Sequence, residues 1–143
     1  MQFTSTVVVT AGGGDEKSIS AAQNVHIEKY LAYDMVLPRA HVFVTNGGYN
    51  GVQQALSYGV PVVSGGTTED KPMVSARVAR TGAGIDLQTG TPTPEHIRNA
   101  VRDVLNNSAY RNRARILQKS FARYDAPNTV TDWRKRRLQN VLK

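Results

Sequence analysis

The chain of 143 residues carries 18 lysines and arginines against 11 aspartates and glutamates, which gives a formal net charge of +7. This length predicts one domain that buries its own core, and the positive charge favours anionic ligands. Because cysteine is absent, disulfides and cysteine-based metal sites are excluded. No apolar run approaches the ~20 residues of a membrane helix, and no secretory signal is recognised, so a cytoplasmic protein without a membrane span is expected.

Short apolar runs alternate with helix-like segments along the chain. Strands are predicted at residues 6–10, 25–28, 41–45, 61–64 and 84–87. A short helical turn is expected within residues 30–37. Longer helices are predicted at residues 49–58 and 72–80, from Pro94 onward, at residues 109–124, and from Asn128 or Thr129 to Leu142. Three of these helices are expected to be capped by Asp70, Thr93 and Ser108.

Short strands that alternate with helices predict an α/β fold, with a Rossmann-like parallel sheet flanked by helices. In such folds ligands bind beyond the carboxyl ends of the strands. The loops at those ends are residues 12–14, 28–33, 46–51 and 65–71, and each is polar, glycine-containing or aromatic. We therefore expect these loops to converge on a ligand site.

The segment from residue 42 to residue 61, VFVTNGGYNGVQQALSYGVP, is the most informative part of the sequence. An apolar run stops at Asn46, glycines follow, and a helix-like stretch begins. The first N–H groups of a helix suit a phosphate or diphosphate. Gly47, Gly48 and Gly51 would keep β-carbons out of the way of that anion. A plain strand-to-helix turn that needs a positive φ is the alternative interpretation.

The last third of the chain is rich in basic residues, most of them on predicted helices. They are Arg111, Arg113, Arg115, Lys119, Arg123, Arg134, Lys135, Arg136, Arg137 and Lys143. Solvated helix faces are the favoured interpretation. A nucleic-acid-binding surface is a weaker alternative, because no RNP, helix-turn-helix or zinc-finger pattern accompanies the charge.

Four stretches of the chain follow the order of a known family pattern: Tyr30-Leu31-Ala32-Tyr33, NGGYNGVQQAL from Asn46, Gly59-Val60-Pro61 and Asp70-Lys71. This pattern resembles the C-terminal, nucleotide-sugar donor-binding domain of GT-B-type glycosyltransferases, the macrolide, sterol and UDP-glucuronosyl transferase relatives. The resemblance covers nearly the whole chain. It implies that residues 1–143 form a single donor-binding domain, one half of a GT-B fold, with the acceptor-binding N-terminal domain absent.

The resemblance also implies which residues surround the donor diphosphate. They are Gly12, Gly13, Asn46, Gly47, Gly48, Asn50 and Gly51. Asn46 replaces the family's histidine, which donates a hydrogen bond to a phosphate oxygen. An asparagine amide can still donate that bond but carries no charge.

Four further residues match family positions that contact the rest of the donor. Tyr30 stands where an aromatic ring stacks on the base, and a core or rim aromatic is the alternative. Gln54 replaces a glutamate that accepts from the ribose hydroxyls; it would accept more weakly, and a solvated helix residue is the alternative. Asp70 and Lys71 match the pair that holds the sugar hydroxyls. Lys71 replaces a glutamine and would either add positive charge near the diphosphate or face solvent.

The resemblance implies that this chain is the nucleotide-sugar-binding half of an inverting glycosyltransferase. The expected donor is a UDP-sugar. The reaction would transfer a hexose to a hydroxyl of a small lipophilic acceptor. The family's catalytic base belongs to the acceptor-binding domain, so this chain alone is expected to be inactive. His26, His41 and His96 are interpreted as structural or solvated. No metal or other cofactor is expected.

The expected partners are UDP or a UDP-sugar and an acceptor-binding domain, in the same chain or in another. A stand-alone nucleotide- or partner-binding module without turnover is the alternative function. Apolar residues at helical spacing near the C-terminus are Trp133, Leu138, Val141 and Leu142. If they are exposed, the isolated domain is expected to form homodimers or to aggregate.

Overall fold

The structure is a computed structural model that describes residues 5–10, 14–15, 17 and 22–124. The strands are β1 (Val7–Thr10), β2 (Val25–Glu28), β3 (Phe43–Thr45), β4 (Val62–Ser64) and β5 (Gly84–Asp86). The helices are α1 (Tyr33–Val36), α2 (Tyr49–Ser57), α3 (Lys71–Thr81), α4 (Pro94–Asn106) and α5 (Ser108–Tyr124). The chain separates into two compact units, Met1–Val36 and Leu37–Lys143.

In the first unit, β1 and β2 pair in parallel, with Val7 opposite Val25. The hydroxyl of Thr10 donates to the carbonyl of Lys29 at 3.2 Å, which ties the ends of the two strands together. The helix α1 confirms the short helical turn predicted before Pro38.

In the second unit, β4 lies between β3 and β5, and all three strands are parallel. The apolar run that forms β4 is fully buried, as expected for a strand covered on both faces. Val63 packs in a core cluster with Leu87 and with Ala100 and Val104 of α4. Neighbouring strand residues face opposite sides, and the next residue, Ser64, bonds to α3. The helices α3 and α4 therefore cover opposite faces of this sheet.

The α/β class, with parallel strands flanked by helices, is confirmed. The hydrogen bonds of the described strands form two sheets, one of two strands and one of three. In the three-stranded sheet, α2 follows β3 and α3 follows β4. Both helices therefore begin at the carboxyl edge of the sheet, where the loops 46–48 and 65–70 lie.

Two details of the helical prediction can now be judged. The start of α4 at Pro94 with Thr93 as its N-cap is confirmed. The prediction that Ser108 caps α5 is wrong, because Asn107 performs that role: its Oδ1 accepts from the N–H of Ala109 at 3.1 Å, and Ser108 is the first helical residue. The predicted last helix, with Trp133, Leu138, Val141 and Leu142, lies outside the described residues. No helix among residues 22–124 is long and apolar enough to cross a membrane.

Replacement of Thr93 by alanine is expected to lower the free energy of unfolding by about 1 kcal/mol. Its hydroxyl accepts from the N–H of His96 at 3.1 Å, and alanine leaves that helix donor without a cap. Asp70→Ala is the matched control, since Asp70 occupies the N-cap position of α3 without a side-chain cap hydrogen bond. Its loss should stay below about 0.5 kcal/mol. Equal losses in urea unfolding would contradict this difference.

Candidate functional site

The N-terminus of α2 is open to a ligand. Its N-cap residue, Gly48, has no side chain that could accept from the first turn, and the first N–H to donate to the carbonyl of Gly48 is that of Val52, at 3.1 Å. The N–H groups of Tyr49, Asn50 and Gly51 precede that bond. Such first-turn groups carry partial positive charge and suit an anion.

The turn that leads into α2 needs glycine at its centre. Gly47 has φ 87°, a conformation that residues with a β-carbon rarely adopt. A β-carbon there would also lie 2.7 Å from Oγ of Ser75. The N–H of Gly48 then donates to Oδ1 of Asn46 at 3.1 Å. This bond occupies the carbonyl of the Asn46 amide and leaves its NH₂ group as the part that can donate to a ligand.

The glycines of this turn differ in what a β-carbon would meet. One on Gly47 would lie 2.7 Å from Oγ of Ser75, whereas one on Gly51 would be in ordinary contact with the ring of Phe43 at 3.5 Å. Gly47 is therefore also required by packing beneath the turn, and the role of these glycines in clearing space for an anion stays a prediction. At Gly48 the position of a β-carbon is open except for Oδ1 of Asn46, 3.4 Å away.

A buried pair of hydroxyls supports the turn from below. Oγ of Ser64, at the end of β4, donates to Oγ of Ser75 in α3 at 3.0 Å, and both residues are fully buried. The bond satisfies two polar groups that would otherwise be costly to bury. It joins the sheet to α3 directly under Gly47.

The loop before α3 forms the other side of the site. Gly66 lies against the carbonyl of Asn46 and the side chain of Lys71, so closely that a β-carbon would overlap both. The ammonium of Lys71 donates to the hydroxyl of Thr68 at 3.3 Å and lies 3.9 Å from Oε2 of Glu69. The side chain of Lys71 is only 19% exposed. Of the two predicted possibilities for Lys71, simple exposure to solvent is therefore wrong.

These two segments enclose an open cleft of about 430 Å³. Its lining consists of Gly48, Tyr49, Asn50, Gly51, Glu69, Asp70 and Lys71. The N-termini of α2 and α3 both reach it, so two helix dipoles and one ammonium group provide positive charge. The carboxylates of Glu69 and Asp70 provide acceptors beside them. The cleft can thus bind an anion and, next to it, a group that donates hydrogen bonds.

The structure brings together five of the residues predicted for the donor site. Gly48, Asn50, Gly51, Asp70 and Lys71 all line the cleft, which Tyr49 and Glu69 complete. The convergence of loops 46–51 and 65–71 is thereby confirmed. Sequence reasoning missed Tyr49 and Glu69, although both are direct neighbours of residues that it named.

The other predicted site residues lie elsewhere or cannot be described. Gly47, at the centre of the turn, is buried, and the neighbouring Asn46 is exposed. Gln54 is exposed on α2, one turn beyond Asn50. Tyr30 belongs to the first unit and is 79% exposed, which rules out the core alternative for this ring. A final pair, Gly12 and Gly13, lies outside the described residues.

Histidines and acidic residues do not gather elsewhere in the described structure. His26, His41 and His96 are all exposed and lie on separate elements or loops. Among the residues that the structure describes, no three His, Asp or Glu side chains are placed to hold a metal ion together.

Comparison with known proteins identifies the family of this chain. The model of the family described as "Erythromycin biosynthesis protein CIII-like, C-terminal domain" matches residues 1–134. The chain belongs to this family. The resemblance to C-terminal domains of GT-B glycosyltransferases, which the motifs indicated, is confirmed.

Individual relatives agree with this assignment. The chain is 40% identical over 119 residues to UDP-glycosyltransferase 2 of Phaeomoniella chlamydospora, a match that covers 83% of this chain and 26% of the relative. The solved glycotransferase of kitacinnamycin matches with a TM-score of 0.75 and 26% identity, over 92% of this chain and 34% of that one. The glycosyltransferase VinC, solved in complex with dTDP, matches with a TM-score of 0.74 and 23% identity, over 82% of this chain and 30% of that one. The chain thus spans about a quarter of the length of the curated relatives.

Proposed function

We propose that residues 1–143 form the nucleotide-sugar donor-binding domain of an inverting glycosyltransferase. The donor is a UDP-sugar, and the transferred hexose goes to a hydroxyl of a small lipophilic acceptor. The observation that carries this proposal is the N-terminus of α2, which has no side-chain cap and opens into a cleft that Lys71 also lines. A diphosphate matches this combination of backbone donors, helix dipoles and a full positive charge.

The relatives support the choice of nucleotide. The relative from Phaeomoniella chlamydospora is a UDP-glycosyltransferase by name, and VinC holds dTDP in its crystal structure. UDP and dTDP are both pyrimidine nucleoside diphosphates. They carry the same diphosphate and differ only in the base and the sugar, and so the site around α2 would bind either one in the same way.

The chemistry assigned to this chain is stabilisation of the leaving group. The acceptor oxygen attacks the anomeric carbon, the bond to the diphosphate breaks, and the diphosphate keeps the electron pair of that bond. N–H groups fixed at the start of α2, together with Lys71, would stabilise the negative charge that develops there. Asp70 would accept hydrogen bonds from sugar hydroxyls and so orient the ring. The proton of the acceptor hydroxyl passes to a base of the acceptor-binding domain.

Two further contacts complete the proposed donor complex. Gln54, one turn along α2 from Asn50, would accept from the ribose hydroxyls. In the family pattern that the sequence resembles, Tyr30 stands where an aromatic ring stacks on the base, and it keeps that role in this proposal. The acceptor-binding domain is the partner in this proposal, whether it lies in the same polypeptide or in a separate one, and no metal ion takes part.

The 143-residue chain is expected to bind UDP weakly and to transfer no sugar on its own. The dissociation constant should fall between micromolar and millimolar, roughly −8 to −4 kcal/mol, because part of the cleft belongs to the acceptor-binding domain. Titration followed by NMR should shift the amide signals of residues 46–51 and 69–71. Titrations with UDP, dTDP and GDP at millimolar concentration test which nucleotide base is preferred, and uridine is the control without phosphate.

Three results would count against the proposal. Unchanged signals at residues 46–51 with all three nucleotides would contradict nucleotide binding at α2. Sugar transfer by the chain alone would contradict a base supplied by the acceptor-binding domain. Nucleotide binding without any transfer after an acceptor-binding domain is added would favour the alternative, a binding module without turnover.

A further inference from the structure

The turn before α3 holds a glutamate where glycine is the favoured residue. The carbonyl of Thr68 accepts from the N–H of Lys71 at 3.2 Å, which closes a four-residue turn. Glu69 has φ 58°, and Asp70 has φ −88° and ψ −3°. A positive φ followed by a negative one is the pattern of a type II′ turn, whose first central position is dominated by glycine. A side chain kept in such a conformation at a candidate site is a reason to look for its function.

Among the residues that the structure describes, the carboxylate of Glu69 has one cation within 4 Å. Its Oε2 lies 3.9 Å from the ammonium of Lys71, which also donates to the hydroxyl of Thr68. The stem of Lys71 lies against Gly66, where a β-carbon would come within 2.9 Å of Cδ. Contacts with Gly66, Thr68 and Glu69 therefore hold the side chain of Lys71 in place beside the cleft. Glu69 itself is 76% exposed and can swing away at little cost.

The charges of the cleft make Glu69 unusual for an anion site. The lining side chains that carry a full charge at neutral pH are Glu69, Asp70 and Lys71, which sum to −1. An entering diphosphate must therefore approach two carboxylates. Asp70 has a proposed role as an acceptor for sugar hydroxyls. Glu69 has no role in the proposed donor complex, and its carboxylate lies close to the ammonium of Lys71.

We propose that Glu69 is an internal counter-ion that competes with the ligand's diphosphate for the ammonium of Lys71. Without ligand, Lys71 is paired with Glu69; on binding, the diphosphate replaces the carboxylate and Glu69 turns to solvent. Glu69 thus determines affinity for nucleoside diphosphates and keeps the free diphosphate product weakly bound. This inference rests on the proposed function, since it requires that the cleft binds a nucleoside diphosphate.

The test compares UDP affinities of variants of the 143-residue chain by calorimetry. Glu69→Gln should tighten UDP binding about threefold, since exposed ion pairs are typically worth less than about 1 kcal/mol. Lys71→Met should weaken it by about tenfold, as loss of a charge-assisted contact does. In the Lys71→Met background, Glu69→Gln should change nothing. Uridine, which lacks phosphate, should bind all four proteins equally.

A matched control distinguishes an effect of the Glu69–Lys71 ion pair from an effect of the protein's overall charge. Asp103 is exposed in the last turn of α4, at the opposite edge of the sheet from the starts of α2 and α3. Asp103→Asn removes the same charge far from the cleft and should leave UDP affinity unchanged. If Glu69→Gln still tightens binding in the Lys71→Met background, the effect is general electrostatics and the inference is overturned.

The remaining outcomes are also decisive. If Glu69→Gln weakens UDP-glucose binding but not UDP binding, Glu69 contacts the sugar and is not a counter-ion of Lys71. If the unaltered chain binds UDP and Glu69→Gln has no effect, the inference fails while the proposed function stands. If the unaltered chain binds no UDP at all, the proposed function fails and the inference with it.

Discussion

Replacement of Gly48 by valine is expected to weaken UDP binding by at least about thirtyfold, or about 2 kcal/mol, while the fold stays intact. Gly48 has φ −59° and ψ 133°, an extended conformation that any residue with a β-carbon adopts. A β-carbon there has one neighbour within contact distance, Oδ1 of Asn46 at 3.4 Å. The added isopropyl group would therefore lie in the cleft, in front of the N–H groups at the start of α2.

Measurement of both binding and stability is needed to interpret this variant. Urea unfolding should give a free energy within about 1 kcal/mol of the unaltered chain, the range of most substitutions that disturb no core or cap. Gly48→Ala is the graded control and should show a smaller loss of UDP affinity. If Gly48→Val binds UDP as tightly as the unaltered chain, the diphosphate does not lie at the N-terminus of α2.

The part of the site that could be predicted from sequence follows from backbone topology. Apolar runs followed by polar loops predicted parallel strands, and the carboxyl ends of parallel strands meet at one edge. This was enough to bring Asn50 and Gly51 together with Asp70 and Lys71, some twenty residues away. Alternation could not predict which strands become neighbours, since pairing depends on contacts between distant segments.

The details that sequence did not predict depend on side-chain partners. Ser64 and Ser75 are eleven positions apart and polar, and only the packing of α3 on β4 makes them a buried pair. Glu69 carries no sequence signal for a positive φ, which glycine or asparagine would have given. Capping of α5 by Asn107 in place of Ser108 differs by a single residue, within the usual uncertainty of helix ends.

Replacement of Gly47 by alanine is expected to destabilise the fold by about 2–3 kcal/mol, at the high end for a single substitution. Two effects add. The backbone at Gly47 has φ 87°, which costs a residue with a β-carbon about 1–2 kcal/mol. The new methyl group would also meet Oγ of Ser75 at 2.7 Å, and this hydroxyl is fixed by its bond to Ser64 in a fully buried position.

Variants at the neighbouring positions separate these two effects. Gly48→Ala adds the same methyl group one residue away in an allowed conformation, so its stability should be unchanged or about 0.4–1 kcal/mol higher. In a Ser75→Ala background the clash is gone, and Gly47→Ala should then lose only the conformational part, about 1–2 kcal/mol. A double-mutant cycle should therefore give a coupling of about 1 kcal/mol between the two positions. If the two substitutions are instead additive, Ser75 does not support the turn, and the rigidity of the α2 N-terminus must come from the backbone of Gly47 alone.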